Sequence, residues 1–176
     1  MKLLALHVDH IKFKPLKKAI KGIKDLSEKD KKEKKVEDAL AVLTAVEKKD
    51  KNVKDVVKEF EKQVIDIAKQ LKVKSVVLYP YAHLSSDLAA PAHANSILDH
   101  AEKALKKSFK VVRAPFGYYK EFEMKVKGHP LSELSREINV EGGKEIKEEY
   151  DVKQLLREIS KIRLDSSKLK DNDHRI

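Results

Sequence analysis

Between Asn52 and Leu71 the apolar residues Val53, Val56, Val57, Phe60, Val64, Ile67, Ala68 and Leu71 recur at intervals of three and four, with lysine and glutamate between them. That spacing gathers one stripe on one side of a helix and leaves the rest of its surface charged. The stripe has to be buried against another layer. The chain supplies cover on both sides. Val36 to Glu47 contains Ala39-Leu-Ala-Val-Leu-Thr-Ala-Val46, and Val73 to Tyr79 reads Val-Lys-Ser-Val-Val-Leu-Tyr. Both are short, apolar and rich in β-branched residues, the pattern of buried strands. Asn52 can cap the helix, and Pro80 ends the strand that follows it.

The same reading extends outward. Leu3, Leu4, Leu6 and Val8 predict a first buried strand ending near His7-Val-Asp9. Lys14 to Lys35 is lysine-rich with few apolar residues, and reads as a long solvated loop with partial helix. Its lysines are candidates for RNA-phosphate contacts. Pro91 starts a second helix with a core face of Ala94, Ile97, Leu98, Ala101 and Leu105. Phe109 to Val112 is a strand, turned by Ala114-Pro-Phe-Gly117. Glu121 to Lys127 alternates, with Phe122, Met124 and Val126 inward, as a half-exposed antiparallel strand does. Gly128 and Pro130 set up a short helix from Leu131 to Ile138. Strands alternate with helices, but the last two strands are close in sequence. The expected fold is therefore α/β, a mixed, largely antiparallel sheet with packed helices. Glu141-Gly-Gly143 is a break. Beyond it, Ile146, Tyr150, Leu155, Leu156, Ile159 and Ile162 form a weaker helical stripe, so residues 1–140 read as one domain and 141–176 as a helical linker.

The formal net charge is +10, and residues 141–176 hold nine basic and nine acidic residues, so the whole excess lies in residues 1–140. A basic excess confined to one domain suits a polyanion binder. Lys/Glu enrichment in heat-adapted proteins produces a similar total with no nucleic acid involved. The absence of cysteine excludes disulfides, thiolate nucleophiles and zinc-thiolate sites. No apolar run is long enough to span a membrane, and Met1-Lys-Leu-Leu-Ala-Leu-His7 is too short for a signal peptide. The expected address is the cytoplasm, with no membrane partner.

Ionisable side chains collect in three strand-end segments: Tyr79-Pro-Tyr-Ala-His-Leu-Ser-Ser-Asp87, Ala114-Pro-Phe-Gly-Tyr-Tyr-Lys120 and Lys127-Gly-His-Pro-Leu-Ser-Glu-Leu-Ser-Arg136. Loops on a rigid scaffold present reactive groups without disturbing a core. His83 can shuttle a proton or orient a substrate; its structural role would be to cap a helix or bond the loop. Ser85 and Ser86 read as cap hydroxyls, with Asp87 an alternative cap, ahead of any role as nucleophiles. Lys120, after a Pro/Gly turn, can neutralise a developing oxyanion, or be an ordinary surface lysine. Phe116, Tyr118 and Tyr119 can stack a base or fill core. His129 faces the start of the helix expected after Pro130. Glu133 falls on the first turn of that helix, as a dipole partner or as a ligand-orienting carboxylate. No Gly-rich phosphate loop, His-Glu-x-x-His or Gly-x-Ser-x-Gly occurs, and the seven histidines lack structural zinc spacing, so no metal site is expected.

Taken together, the three segments resemble the amino-terminal editing domain of archaeal threonyl-tRNA synthetases, which has the D-aminoacyl-tRNA deacylase fold. The likeness runs over residues 1–140, and Asp171-Asn-Asp-His-Arg-Ile176 looks like the run-in to a synthetase catalytic domain. The resemblance implies a fragment of a longer enzyme, with 141–176 leading toward that missing domain. It implies hydrolysis of the ester joining serine to threonine-specific tRNA, near a homodimer interface. It further implies that Lys120 and His83 position substrate and water and stabilise charge, without either being an obligatory general base. Tyr119 and Glu133 would surround the seryl group, Phe116 and Val46 would flank the terminal adenine, and Ala82 would offer backbone contacts. No cofactor is implied for editing; ATP and zinc would belong to the absent synthetase domain. Removal of D-amino acids from tRNA, or a non-catalytic tRNA-binding or dimerisation module, are the alternatives. The family's His-Ser-Asp at the end of the first strand is His7-Val8-Asp9 here, which leaves the hydroxyl without a counterpart.

Overall fold

A computed structural model describes residues 1–140, which lie within one compact unit, Met1–Gly142. The readings made for residues 141–176 lie outside the described residues. The elements run β1 (Lys2–Lys18), β2 (Lys34–Ala45), α1 (Val53–Leu71), β3 (Ser75–Pro80), a 3-10 turn (Ala82–Leu84), α2 (Pro91–Leu105), β4 (Lys110–Arg113), β5 (Tyr118–Val126) and β6 (Glu133–Glu137). The strand order is β4-β3-β2-β1-β5, with β6 also pairing β1. β2, β3 and β4 are parallel, joined through α1 and α2, while β2, β5 and β6 all pair antiparallel to β1. This is the mixed α/β architecture expected.

Strand alternation divides the core in two. Leu40, Val42, Val76 and Leu78 face the helices and meet Val56, Phe60 and Val64 of α1 and Ile97, Leu98 and Leu105 of α2. The intervening residues Ala39, Ala41, Leu43, Val77 and Tyr79 point the other way, into a second cluster with Val8, Ile11 and Phe13. Asn52 caps α1 as expected, its side chain accepting from the Asp55 N–H. Pro91 takes the first turn of α2, but Ala90 holds the cap position, so Ser85, Ser86 and Asp87 do not cap that helix.

Two expectations fail. β1 does not stop at Asp9 but runs to Lys18, and no helix forms between it and β2. Ile11 and Phe13 are buried while Lys12 and Lys14 alternate with them, so this is a period-two strand hidden by its lysines. The segment after Pro130 is likewise a strand, not a helix. β6 pairs Lys2↔Glu137 through Leu6↔Glu133. The first half of β1 would otherwise expose a row of unpaired backbone groups, and closing that edge outweighs a short helix's local preference.

β1 bends where its register shifts between Val8 and His10, and opposite the bend Asp38 adopts φ +44°. Asp9 and Asp38 both receive the Lys127 ammonium, at 2.9 and 3.2 Å. Beyond the bend the β1–β5 pair folds over the face away from the helices. In a flat sheet, β5 and β3 would lie about 14 Å apart, three spacings of nearly 5 Å. The Phe122 and Tyr79 rings nevertheless approach to 5.5 Å, and Phe13 meets Tyr79 edge-on at 5.8 Å. The sheet has coiled back on itself, and a cleft remains where it fails to close.

Candidate functional site

The cleft has a volume of about 520 Å³ and opens at the C-terminal ends of β2 and β3. Parallel strands end there, and α/β sheets commonly bind ligands at that edge. Its base is Thr44 to Val46 and Tyr79 to Tyr81; α2 contributes Pro91, Ala94 and Leu98 on one side. The other side is the turn leading into β5, from Phe116 to Lys120, with Phe122 beyond it and Ala19 and Ile20 at the end of β1.

Lys120 is the only cationic side chain of a lysine or arginine among those lining residues. Its ammonium donates to the carbonyls of Pro115 and Tyr118, each at 3.0 Å, and sits 5.2 Å from the centre of the Tyr79 ring. Burial lowers its pKa from the ordinary lysine value to about 8. An ammonium has three protons, and these two carbonyls engage two of them, leaving one donor for a ligand. Burial also pushes the Tyr79 hydroxyl up to about 12, so that ring stays neutral beneath the cation.

His83 lies in the 3-10 turn at the cleft's edge, exposed, its ring edge-on to Tyr81 at 5.2 Å. It makes no side-chain hydrogen bond among the described residues, so neither structural role read for it is seen. Ser85 does not face His83 as a nucleophile would. Its hydroxyl donates to Glu47 Oε1 at 2.6 Å and accepts the Asp87 N–H at 3.2 Å. Glu47 is itself buried. Desolvation would raise its pKa, but the Ser85 hydroxyl and the Met1 α-ammonium outweigh that and hold it down at about 2. The ammonium lies 3.2 Å from Glu47 Oε2 and donates to Asp50 Oδ1 at 2.6 Å. Asp50's carbonyl in turn bonds His93 of α2. This ionic knot fixes the loop bearing His83, and sequence reading missed it. Its only sequence trace was two acids, Glu47 and Asp50, after an apolar strand.

Six of the seven residues proposed from sequence meet in the cleft: Lys120, His83, Tyr119, Ala82, Phe116 and Val46. Tyr119 stands at the rim, 56% exposed, with the Lys17 ammonium 5.7 Å from its ring centre. Glu133 is not among the lining residues. It is an exposed residue of β6, with no helix for its carboxylate to start. His129 faces no helix either. Its Nδ1 accepts the Leu131 N–H, so Nε2 carries the proton donated to His7 Nδ1 at 2.8 Å. That leaves the His7 proton on Nε2, 3.6 Å from Asp38. Desolvation lowers the His7 pKa, and nearby Lys127 adds to the effect.

An α/β domain whose cleft opens at the ends of its parallel strands and holds one buried lysine ammonium is the class that fold and site define. The fold recurs in a solved structure titled c-Myc DNA Unwinding Element Binding Protein, with a TM-score of 0.58 over 79% of this chain and 99% of the other, at 10% identity, a likeness of fold alone. Residues 1–138 match the Archaea-specific editing domain of threonyl-tRNA synthetase, and the chain belongs to that family. It is 47% identical over 156 residues to the threonine–tRNA ligase of Methanococcus maripaludis strain C7, covering 88% of this chain and 24% of the relative. With the enzyme of Methanococcoides burtonii the identity is 40% over 173 residues, 96% of this chain and 27% of the relative. The chain thus spans about a quarter of the length of these curated relatives.

Proposed function

We propose that the cleft hydrolyses the ester of serine mischarged onto threonine-specific tRNA. The observation that carries this reading is the Lys120 ammonium, held under the cleft by two carbonyls with one proton to spare. Family membership supplies the substrate class. The need for such a step is physical: serine lacks one methyl of threonine, and a pocket discriminates a missing methyl by only about 1–3 kcal/mol. A second, hydrolytic site removes what the first admits.

In the reaction, a water oxygen bonds to the seryl carbonyl carbon, the ester C–O bond breaks, and a proton passes to the departing ribose oxygen. Charge gathers on the carbonyl oxygen in the transition state, where the free Lys120 N–H stabilises it. His83 holds substrate or water at the mouth. The neighbouring ribose hydroxyl of the RNA assists the water, since no cysteine exists and Ser85 is committed to Glu47. Phe116 and Val46 flank the terminal adenine, and Tyr119 and the Ala82 backbone bound the amino acid. The exposed Glu133 is given no part in this cleft. The working unit in this reading is a homodimer, which sedimentation of the purified chain tests directly.

Deacylation of Ser-, Thr- and D-aminoacyl-tRNA by the purified chain is the decisive measurement. Selective loss of the seryl ester is expected. Loss of D-esters alone would replace this reading with chiral proofreading, and binding without hydrolysis would reduce the domain to a tRNA-binding module. Lys120→Met should slow seryl hydrolysis by about 100-fold or more, the range for losing one oxyanion donor, with an unchanged circular dichroism spectrum.

A further inference from the structure

The arm made by the outer half of β1, the segment joining it to β2 and the start of β2 has no part in the cleft's chemistry, yet it holds much of the protein's charge. From Lys12 to Lys35 there are eleven lysines against four acids. α1 has four lysines and four acids over its length. General charge enrichment would load both; here the excess is local. Five of the arm's lysines are neutralised nearby: Lys12 by Glu123, Lys18 by Asp25, Lys31 by Glu28, Lys34 by Asp30 and Lys35 by Glu37. Lys14, Lys17, Lys21, Lys24, Lys29 and Lys32 are exposed and have no ion pair among the described residues. The arm is therefore cross-braced by one set of lysines and charged by another.

It is also fastened to the cleft. The N–H groups of Ala19 and Ile20 donate to the Gly117 carbonyl at 2.8 and 3.3 Å, and the Tyr118 hydroxyl donates to the Lys24 carbonyl at 3.1 Å. Ile23 packs so closely on Gly117 that a Cβ there would fall 2.7 Å from its Cγ1. Ala19 and Ile20 line the cleft themselves, so the free ammonium groups begin at its mouth.

We propose that this arm is a phosphate-tracking surface for RNA, gripping the backbone that leads to the 3′ end seated in the cleft. Lysines are point charges on flexible stems and suit sequence-independent contacts to phosphate. The placement rests on the reading of the cleft as a tRNA-ester site, but uncharged RNA tests it without any hydrolysis. Equilibrium binding of uncharged threonine-specific tRNA to the 176-residue chain, titrated with salt, is the experiment. Lys14→Gln/Lys21→Gln/Lys24→Gln/Lys29→Gln should weaken binding by about tenfold or more and flatten the log–log salt slope by about 3 to 4. Lys54→Gln/Lys58→Gln/Lys62→Gln/Lys69→Gln on α1 removes the same charge elsewhere and should change affinity by less than about twofold. Equal losses in both variants would overturn the proposal in favour of net charge alone, and no loss in the arm variant would overturn it outright. Should the fourfold arm variant fail to fold, Lys21→Gln/Lys24→Gln reads the same effect at about half the slope change. A chain that binds through the arm but leaves seryl-tRNA intact would sink the hydrolase reading while this one stands.

Discussion

Lys120 combines a chemical role with a thermodynamic penalty. Its folded pKa, about 8, lies below the ordinary 10.5 because burial disfavours the ammonium. Between those values the unfolded chain binds more protons than the folded one, so stability rises with pH across that window. Lys120→Met should abolish that rise and leave the protein at least as stable at pH 7, measured by urea unfolding at pH 7 and 9.5. Activity should run the opposite way. If the ammonium stabilises the oxyanion, hydrolysis corrected for hydroxide should decline above about pH 8 in the native chain, and Lys120→Arg should move that decline upward. A rate that climbs through pH 8 instead would make Lys120 a base. The residue's candidacy was legible from its place after a Pro/Gly turn. Its seat over the Tyr79 ring was not, because Tyr79 lies three strands away and only the coiling of the sheet brings it there.

At the scale of elements, the helices and parallel strands could be read because their local patterns agree with their tertiary places. Asn52, the α1 stripe and Pro91 all sit where expected. The two errors share one cause. β1 beyond Asp9 and β6 are strands because of partners far along the chain, and neither lysine-masked alternation nor Pro130-Leu-Ser-Glu-Leu reveals a partner. The reading of Glu133 as a helix-dipole partner fell with that helix, since the residue lies on β6. The turn before β5 gives the sharpest test at this scale. Gly117 has φ +75°, a conformation that costs a side-chain-bearing residue about 1–2 kcal/mol. Gly117→Ala adds the clash with Ile23, so destabilisation should exceed that range in thermal melts. Adding Ile23→Ala should recover the clash but not the backbone term. The double variant would then remain about 1–2 kcal/mol below the native chain.

For the molecule as a whole, the ionic knot of Met1, Glu47, Asp50 and Ser85 joins the start of β1, the end of β2 and the loop before α2. Glu47 titrates at about 2 when folded against an ordinary 4.5, so its contribution is fully present above 4.5 and is lost as pH falls toward 2. That difference corresponds to something on the order of 3 kcal/mol. Ser85→Ala removes the hydroxyl that donates to the Glu47 carboxylate and should move the midpoint of acid unfolding to higher pH. An unmoved midpoint would assign acid sensitivity elsewhere, with His7 the next group to titrate on acidification, since its lowered pKa makes stability fall as pH drops through the ordinary histidine range.

The pairing of Lys2 with Glu137 bears on how the domain is made. β1 precedes the other described strands in the chain, and it is flanked by β2 along most of its length on one side and by β5 and β6 on the other. Its last neighbour, β6, is also the last of the described strands to be translated. Until then the nascent chain carries an open, apolar edge from Leu3 to Leu6, and closure waits on contacts of very high sequence separation. Synthesis order therefore leaves β1 in need of shelter for nearly the whole time the domain takes to emerge.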